Sequence, residues 1–287
     1  MEKPIYKVSV VIPAYNSEKY IERTLKSVLS QTLDSIEIIV VENGSTDKTY
    51  EIANKVLSSQ SRFAWKLIRL EEANVGRARN IGIQNVRGKY VYFLDSDDFI
   101  NDSAIERLYK ICEEKQADFA FFGFNRVNES GQILVRYDSF YKCRKSIMSG
   151  IKAVDEYLDG NIWIATGTYI FKRTIIEEND IKFSEESAAG EDQTFVINVL
   201  LHTKRVVSDC SSMLSYTVHG NGLSSSDRVF EAVEAFHNLQ KEVSSMKNLS
   251  PDDKERIVSK INYFKIPYLY LRGYFRFAKT TCYKDFK

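Results

Sequence analysis

Four short β-forming runs recur in the first hundred residues, at 8–12, 36–41, 65–69 and 90–94, with a helix-periodic stretch between each pair. The first, Val8-Ser9-Val10-Val11-Ile12, is nearly continuous in apolar residues, as a strand buried on both faces of a parallel sheet requires. Pro13 is expected to end it, because proline cannot donate to a ladder. Asn16 or Ser17 can cap the following helix, with Glu18 in its first turn. Ile21, Leu25, Val28 and Leu29 then fall on one face. Residues 43–47 read as a turn and cap, 49–57 and 76–84 as helices. Strand, helix, strand at this rhythm implies right-handed crossovers and a parallel sheet. Such sheets bind ligands beyond the carboxyl ends of their strands. Polar residues gather at those ends: Ala14-Tyr15-Asn16, Glu42-Asn43-Gly44 and Asp95-Ser96-Asp97-Asp98.

Beyond residue 100 the pattern is mixed. The spacing predicts a helix over 103–115, a strand at 119–124, a hairpin turn at 128–131, and β segments at 162–171 and 206–218 around a helix starting near Gly190. From Asp227 the character is helical, and Ser250-Pro251 pairs a cap with proline at the first helical position. No internal repeat or low-complexity linker interrupts the chain.

Lys plus Arg (40) nearly cancels Asp plus Glu (39), so the 287-residue surface is not built as a whole for nucleic acid. Cys112, Cys143, Cys210 and Cys282 lie far apart without a C-x-x-C pair, which excludes a dense disulfide framework and a zinc knuckle and suits a reducing compartment. The N-terminal residues lack a signal-peptide core, and no run approaches the roughly 20 apolar residues that span a bilayer. These features set the expectation of a cytoplasmic protein, with the inner face of the cytoplasmic membrane as a candidate surface.

Several motifs fail. Gly88-Lys89 lacks the first glycine and the Ser or Thr of a phosphate loop, and Gly220-Asn221-Gly222 lacks the third glycine of a dinucleotide fingerprint. No G-x-G-T-R loop follows the first strand, and there is no H-E-x-x-H or G-x-S-x-G. What remains is Asp95-Ser96-Asp97-Asp98. Carboxylates clustered at a strand end repel one another unless a cation or donor network compensates. They can hold an anionic diphosphate only through a bridging metal, and oxygen ligands suit Mg²⁺ or Mn²⁺. An isolated D-x-D is usually a solvated turn or a helix cap; its place on the fourth strand of this pattern favours the metal.

Residues 8–16, Glu42-Asn43-Gly44-Ser45-Thr46-Asp47, Asn74-Val75-Gly76-Arg77-Ala78-Arg79-Asn80 and Asp95-Ser96-Asp97-Asp98 together resemble family 2 of the inverting glycosyltransferases, with the GT-A fold. The relatives brought to mind are the bacterial enzymes of surface-polysaccharide assembly. The resemblance covers about residues 5–222. It implies an α/β fold with a Rossmann-like, mostly parallel sheet flanked by helices, divided as a catalytic domain over 1–222 and a helical C-terminal extension over 223–287. It implies a UDP-sugar donor, a saccharide or lipid-linked saccharide acceptor, and Mn²⁺ or Mg²⁺.

By the same resemblance Pro13 lies in the donor site and Tyr15 stacks on the donor base. Glu42 accepts the uracil N3–H, although the usual Asp-Asp pair is here Glu42-Asn43. Asn74 and Arg79 face the phosphates, Asp95 with Ser96 meets the ribose, and Asp97 holds the metal. Gly190-Glu191-Asp192-Gln193 opens an apolar helix, where the dipole favours ionised acids and an acidic cap is common. The resemblance makes Asp192 the catalytic base, and Glu191 an acceptor-binding or orienting group. His219 is a second candidate for metal or diphosphate; His202 and His237 read as ordinary helix residues. Two other classes stay open: a non-catalytic sugar-nucleotide-binding partner of another transferase, and a nucleotidyltransferase.

Trp163, Thr166 and Gly167 precede the Glu-Asp helix, where an acceptor pocket is expected. Residues 261–287 carry six basic residues against one acid, with Tyr268, Tyr274, Phe275 and Phe277 interleaved. That mixture suits an anionic membrane surface, or equally a helix packing its aromatics on the domain. Pro267 is expected to kink the helix.

Overall fold

The structure is a computed structural model, and it describes residues 4–141, 143–144, 146–187, 189–219 and 228–271. Its elements run β1 (Tyr6–Ala14), α1 (Ile21–Leu29), β2 (Ile36–Asn43), α2 (Thr49–Ser58), β3 (Ala64–Leu70), α3 (Val75–Gln84), β4 (Gly88–Phe93), β5 (Phe99–Ile100) and α4 (Ala104–Lys115). Then follow β6 (Phe119–Val127), β7 (Ile133–Arg136), α5 (Gly150–Leu158), β8 (Tyr169–Lys172), α6 (Arg173–Asn179), α7 (Glu191–Leu201), β9 (Val206–Thr217), α8 (Val229–Ser245) and α9 (Pro251–Lys260).

The strands form one nine-stranded sheet in the order β3-β2-β1-β4-β8-β6-β9-β5, with β7 paired to β6. β1, β2, β3 and β4 are parallel, whereas β8 enters antiparallel between β4 and β6. Period-two alternation divides the core. Val10, Ile12, Ile38, Val40, Tyr92 and Phe122 face the layer of α1, α2 and α4. Val11, Ile39, Val41, Phe93 and Phe121 face the other layer, with Phe195 of α7, Phe236 of α8 and Ile257 of α9. The C-terminal helices therefore share a core with α7 and the sheet.

Four expectations change. β1 continues through Pro13 to Ala14. The Val11 carbonyl accepts from Leu94 N–H, and Pro13, two residues on, points the same way, past the end of β4. Neither Asn16 nor Ser17 caps α1, which starts at Ile21; Asn16 is in the left-handed region at φ 45°. Residues 162–168 are not strand: Trp163 exchanges backbone hydrogen bonds with the Tyr137 hydroxyl, and Thr168 turns back on Ala165. Cys143 and Cys210, 67 residues apart, are joined by a disulfide that the sequence spacing did not suggest. Pro267, where the sequence predicts a kink, lies in a helix that runs on to Leu271. A π-turn at Ile261–Lys265, closed by Ile266 N–H on the Ile261 carbonyl, widens the helix just ahead of it.

Candidate active site

Parallel register places Ala14 opposite Glu42 and Val11 opposite Phe93, so the segments leaving β1, β2 and β4 meet at one edge of the sheet. The turn after β4 is held from behind by α1. Thr24 Oγ1 donates to the carbonyls of Ser96 at 2.8 Å and Asp98 at 2.6 Å. Thr217, at the end of β9, donates its N–H to Asp98 Oδ1 at 2.8 Å and its hydroxyl to the Asp97 carbonyl at 2.7 Å.

The three carboxylates of this turn differ in environment. Asp98 is buried, and burial with the Asp97 and Asp95 charges holds its carboxyl well above the ordinary range. Asp97 is raised too, by burial first and then by Asp95, but it stays partly open. Its Oδ2 lies 2.8 Å from His219 Nε2. A carboxylate oxygen and an imidazole nitrogen facing each other fit a divalent cation that keeps positions open for other oxygens. Among the described residues no three His, Cys, Asp or Glu side chains converge on one point.

Arg79 joins this turn to the second candidate centre. α3 carries it inward, with Gly76 packed so closely on the 183–185 segment that an added Cβ would meet the Ser184 carbonyl oxygen at 2.0 Å. The guanidinium is buried, with Nη1 2.7 Å from Glu191 Oε1 and Nη2 3.0 Å from Asp95 Oδ1. Burial opposes its charge, but Asp95, Glu191 and Asp192 outweigh that and hold it firmly protonated. Glu191 and Asp192 open α7 after Gly190, whose φ of 82° makes the entry turn. Asp192 is half-buried, and its Oδ1 accepts the Gln193 N–H at 2.8 Å. Burial and then the Glu191 charge push its carboxyl up to about 6, against the pull of Arg79. A carboxyl poised there is suited to general-base work near neutral pH.

On the donor side Tyr15 is 46% exposed, its ring free to stack. The loops after β1 and β2 lace together through Thr46 N–H on Asn16 Oδ1 and Glu18 N–H on Asp47 Oδ2. Several residues expected to make donor contacts also serve this frame. Pro13 is buried within β1. Glu42 is fully buried, Oε1 accepting the Ser45 N–H and Oε2 3.1 Å from Arg69 Nε. Asn74 caps α3 through its Oδ1 on Arg77 N–H, gives its amide to the Glu185 carbonyl, and gives its backbone N–H to Asn43 Oδ1. Arg79 points at two carboxylates rather than outward. Ser96 is buried, its carbonyl fixed by Thr24.

Where the acceptor pocket is expected, Trp163 is half-buried beside Tyr157, ring centroids 5.4 Å apart. Lys265, from the π-turn, lies 5.1 Å from the Trp163 ring and 5.5 Å from that of Tyr157. Thr166 and Gly167 are buried, and the Gly167 carbonyl accepts the Tyr92 hydroxyl. Thr24, Thr217, Tyr157 and Lys265 escaped the sequence reading because single residues on helix faces and strand ends carry no local pattern.

The model of the family described as Glycosyl transferase family 2 matches residues 9–179. The glycosyltransferase GlyA of Streptococcus pneumoniae serotype 4 is 33% identical over 224 residues, 76% of this chain and 31% of that protein. TarP of Staphylococcus aureus, a poly(ribitol-phosphate) beta-N-acetylglucosaminyltransferase, is 32% identical over 202 residues, 69% of this chain and 58% of its own length. The crystal structure of S. aureus TarS 1-349 in complex with UDP superposes with a TM-score of 0.71 at 26% identity, covering 88% of this chain and 69% of that one. The chain thus spans about a third to three fifths of the length of these two curated relatives. Its architecture is that of the GT-A glycosyltransferases, and the chain belongs to glycosyl transferase family 2.

Proposed function

We propose that this chain is an inverting, metal-dependent glycosyltransferase that moves a sugar from a UDP-sugar to an acceptor hydroxyl in surface-polysaccharide assembly. The observation that carries the reading is the Arg79 bridge, which ties the D-S-D-D turn to the helix bearing Asp192 and makes them one centre. The UDP-bound TarS structure and the poly(ribitol-phosphate) in the name of TarP support the donor and acceptor classes.

In this reading residues 1–222 are the catalytic domain, completed by an extension from 223 whose described part, 228–271, is helical; the rest of the extension lies outside the described residues. Tyr15 covers the uracil, and Glu42, Asn43 and Asn74 fix the loops around it. Asp95 and Ser96 lie against the ribose. Asp97 and His219 would hold Mn²⁺ or Mg²⁺, which would offset the charge of the departing diphosphate. Asp192 takes the proton of the acceptor hydroxyl as that oxygen attacks the anomeric carbon from the face opposite the leaving UDP. Glu191 works through Arg79 and through its charge on Asp192, while Trp163 lines the acceptor pocket. An acceptor built on a lipid carrier is compatible with work at the inner face of the cytoplasmic membrane through residues from 261 onward. No helix among the described residues is long and apolar enough to cross a membrane.

The test is the melting temperature with UDP and UDP-sugars, with and without Mn²⁺, on wild type and Asp192→Asn. A rise that needs both UDP and metal, kept in the variant while transfer falls at least about 10²-fold, supports the reading. No metal-dependent shift in a folded sample, or transfer by the variant at the wild-type rate, overturns it.

A further inference from the structure

Around Asp97 and His219 lies a second layer of contacts that the proposed reaction does not use. His219 presents opposite nitrogens to two carboxylates: Nε2 lies 2.8 Å from Asp97 Oδ2, and Nδ1 lies 3.2 Å from Glu129 Oε1. Glu129 sits in the turn between β6 and β7, which Asn128 stiffens by accepting the Ser130 hydroxyl and the Gln132 N–H. The Tyr20 hydroxyl also bonds to Glu129, and the Tyr20 ring lies 4.8 Å from the His219 ring. Arg23 connects the two sides. Its Nη1 donates to the Glu129 carbonyl at 3.0 Å and its Nη2 to the Asp97 carbonyl at 2.9 Å. Nη2 also reaches Thr217 Oγ1 at 3.0 Å, two residues before His219. The guanidinium lies 4.4 Å from the centre of the Phe99 ring, which fixes its plane.

An imidazole that offers one nitrogen to a cation needs its other N–H held by an acceptor, which sets both tautomer and ring orientation. Glu129 occupies the acceptor position, on the side of the ring away from Asp97, so it orients rather than ligates. Arg23 spans the backbones of both flanking carboxylates, a task for a planar fork and not for a point charge. We propose that Glu129 and Arg23 are positioning residues that hold His219 and Asp97 in the geometry of the cation site. The inference rests on the reading that these two residues take the divalent ion.

The experiment is a titration of the full chain with Mn²⁺ in the presence of UDP, free Mn²⁺ being read by electron paramagnetic resonance. Glu129→Ala and Arg23→Ala are expected to weaken Mn²⁺ binding by about tenfold or more. Glu129→Gln should restore most of the affinity, since an amide oxygen still accepts from Nδ1–H, whereas Arg23→Lys should not. With His219 already replaced by alanine, Glu129→Ala should add less than about a twofold change, because its effect passes through the ring. In turnover the kcat of Glu129→Ala should recover at saturating Mn²⁺ while the metal requirement rises. Wild-type Mn²⁺ affinity in both alanine variants overturns the proposal, as does a Glu129 effect that is equal with and without His219. Failure of the wild type itself to bind Mn²⁺ with UDP would instead overturn the donor-site reading, and this inference with it.

Discussion

Arg79 Nη1 lies 2.7 Å from Glu191 Oε1 while its other terminal nitrogen holds Asp95, so one buried cation sits between the carboxyl end of β4 and the helix that bears Asp192. It also lowers the carboxyl of Asp192, which burial and Glu191 raise to about 6. Transfer needs the ionised base, so kcat/KM should rise through that range and level off above it. Glu191→Gln removes a charge that raises Asp192 and should move the acid limb to lower pH. Arg79→Gln removes the charge that lowers it and should move the limb to higher pH, with a rate loss of about 10²-fold from the disrupted bridge. Profiles that shift the same way in both variants would show that Asp192 does not set the limb.

The same buried carboxyl acts on stability with the opposite preference. Its ordinary value is 3.8, so between there and about 6 the folded chain binds more protons at this site than the unfolded chain. Stability from this group is full below that window and is lost as pH rises through it. Asp192→Asn removes the loss, so the inactive variant should melt at or above the wild-type temperature at pH 7 to 8. Thermal melts of both proteins across pH 4 to 8 check this; a variant that melts lower at pH 8 than wild type would contradict the assignment.

The frame of the site was legible because buried parallel strands and their polar ends are written in local pattern. The runs at 8–12, 36–41 and 90–94 located β1, β2 and β4 as parallel strands, and through their polar ends the side of the sheet that carries Tyr15, Asn43 and Asp97. The direction of individual side chains was not legible. Arg79 turns inward because Asp95 and Glu191 lie 16 and 112 residues away in the chain and only the fold brings them to it. Glu42 carries a carboxylate at the position expected of a base reader, and its Oε1 accepts the Ser45 N–H of its own loop, a contact no local pattern announces. The disulfide partners Cys143 and Cys210 were hidden for the same reason, a long separation closed by tertiary packing.

Gly76 makes the inward turn of Arg79 possible. An alanine Cβ would fall 2.0 Å from the Ser184 carbonyl oxygen, a backbone atom that cannot rotate away. The contact is locked from the other side as well, since Asn80 accepts the Phe183 N–H at 2.8 Å and donates to the Phe183 carbonyl at 2.9 Å. Gly76→Ala must therefore push α3 off the 183–185 segment and draw Arg79 away from Glu191. The expected result is a destabilisation of about 1–3 kcal/mol, read from denaturant unfolding, with a larger proportional loss of kcat than of UDP affinity. Unchanged unfolding would show that the helix has room the structure does not display.

The helix that begins at Pro251 presents two unlike faces beyond its π-turn. Ile261, Lys265 and Leu269 are buried, with Lys265 reaching the rings of Trp163 and Tyr157 on the acceptor side. Tyr263, Phe264, Tyr268 and Leu271 are exposed, and Phe230 of α8 adds a further exposed ring, 6.1 Å from that of Tyr270. A contiguous exposed aromatic face marks an interaction surface, and tyrosines suit the headgroup layer. The sequence that follows, from Arg272, holds five basic residues and one acid, which favours an anionic lipid surface over a neutral one. The full chain should sediment with vesicles containing phosphatidylglycerol and not with pure phosphatidylcholine, and added salt should weaken the binding. Replacing Phe264 and Tyr268 by serine should reduce vesicle binding about tenfold or more, while transfer to a water-soluble acceptor stays at the wild-type rate. Equal sedimentation of this double variant would assign lipid binding to the basic residues alone, and no sedimentation of the wild type would remove the membrane from the account.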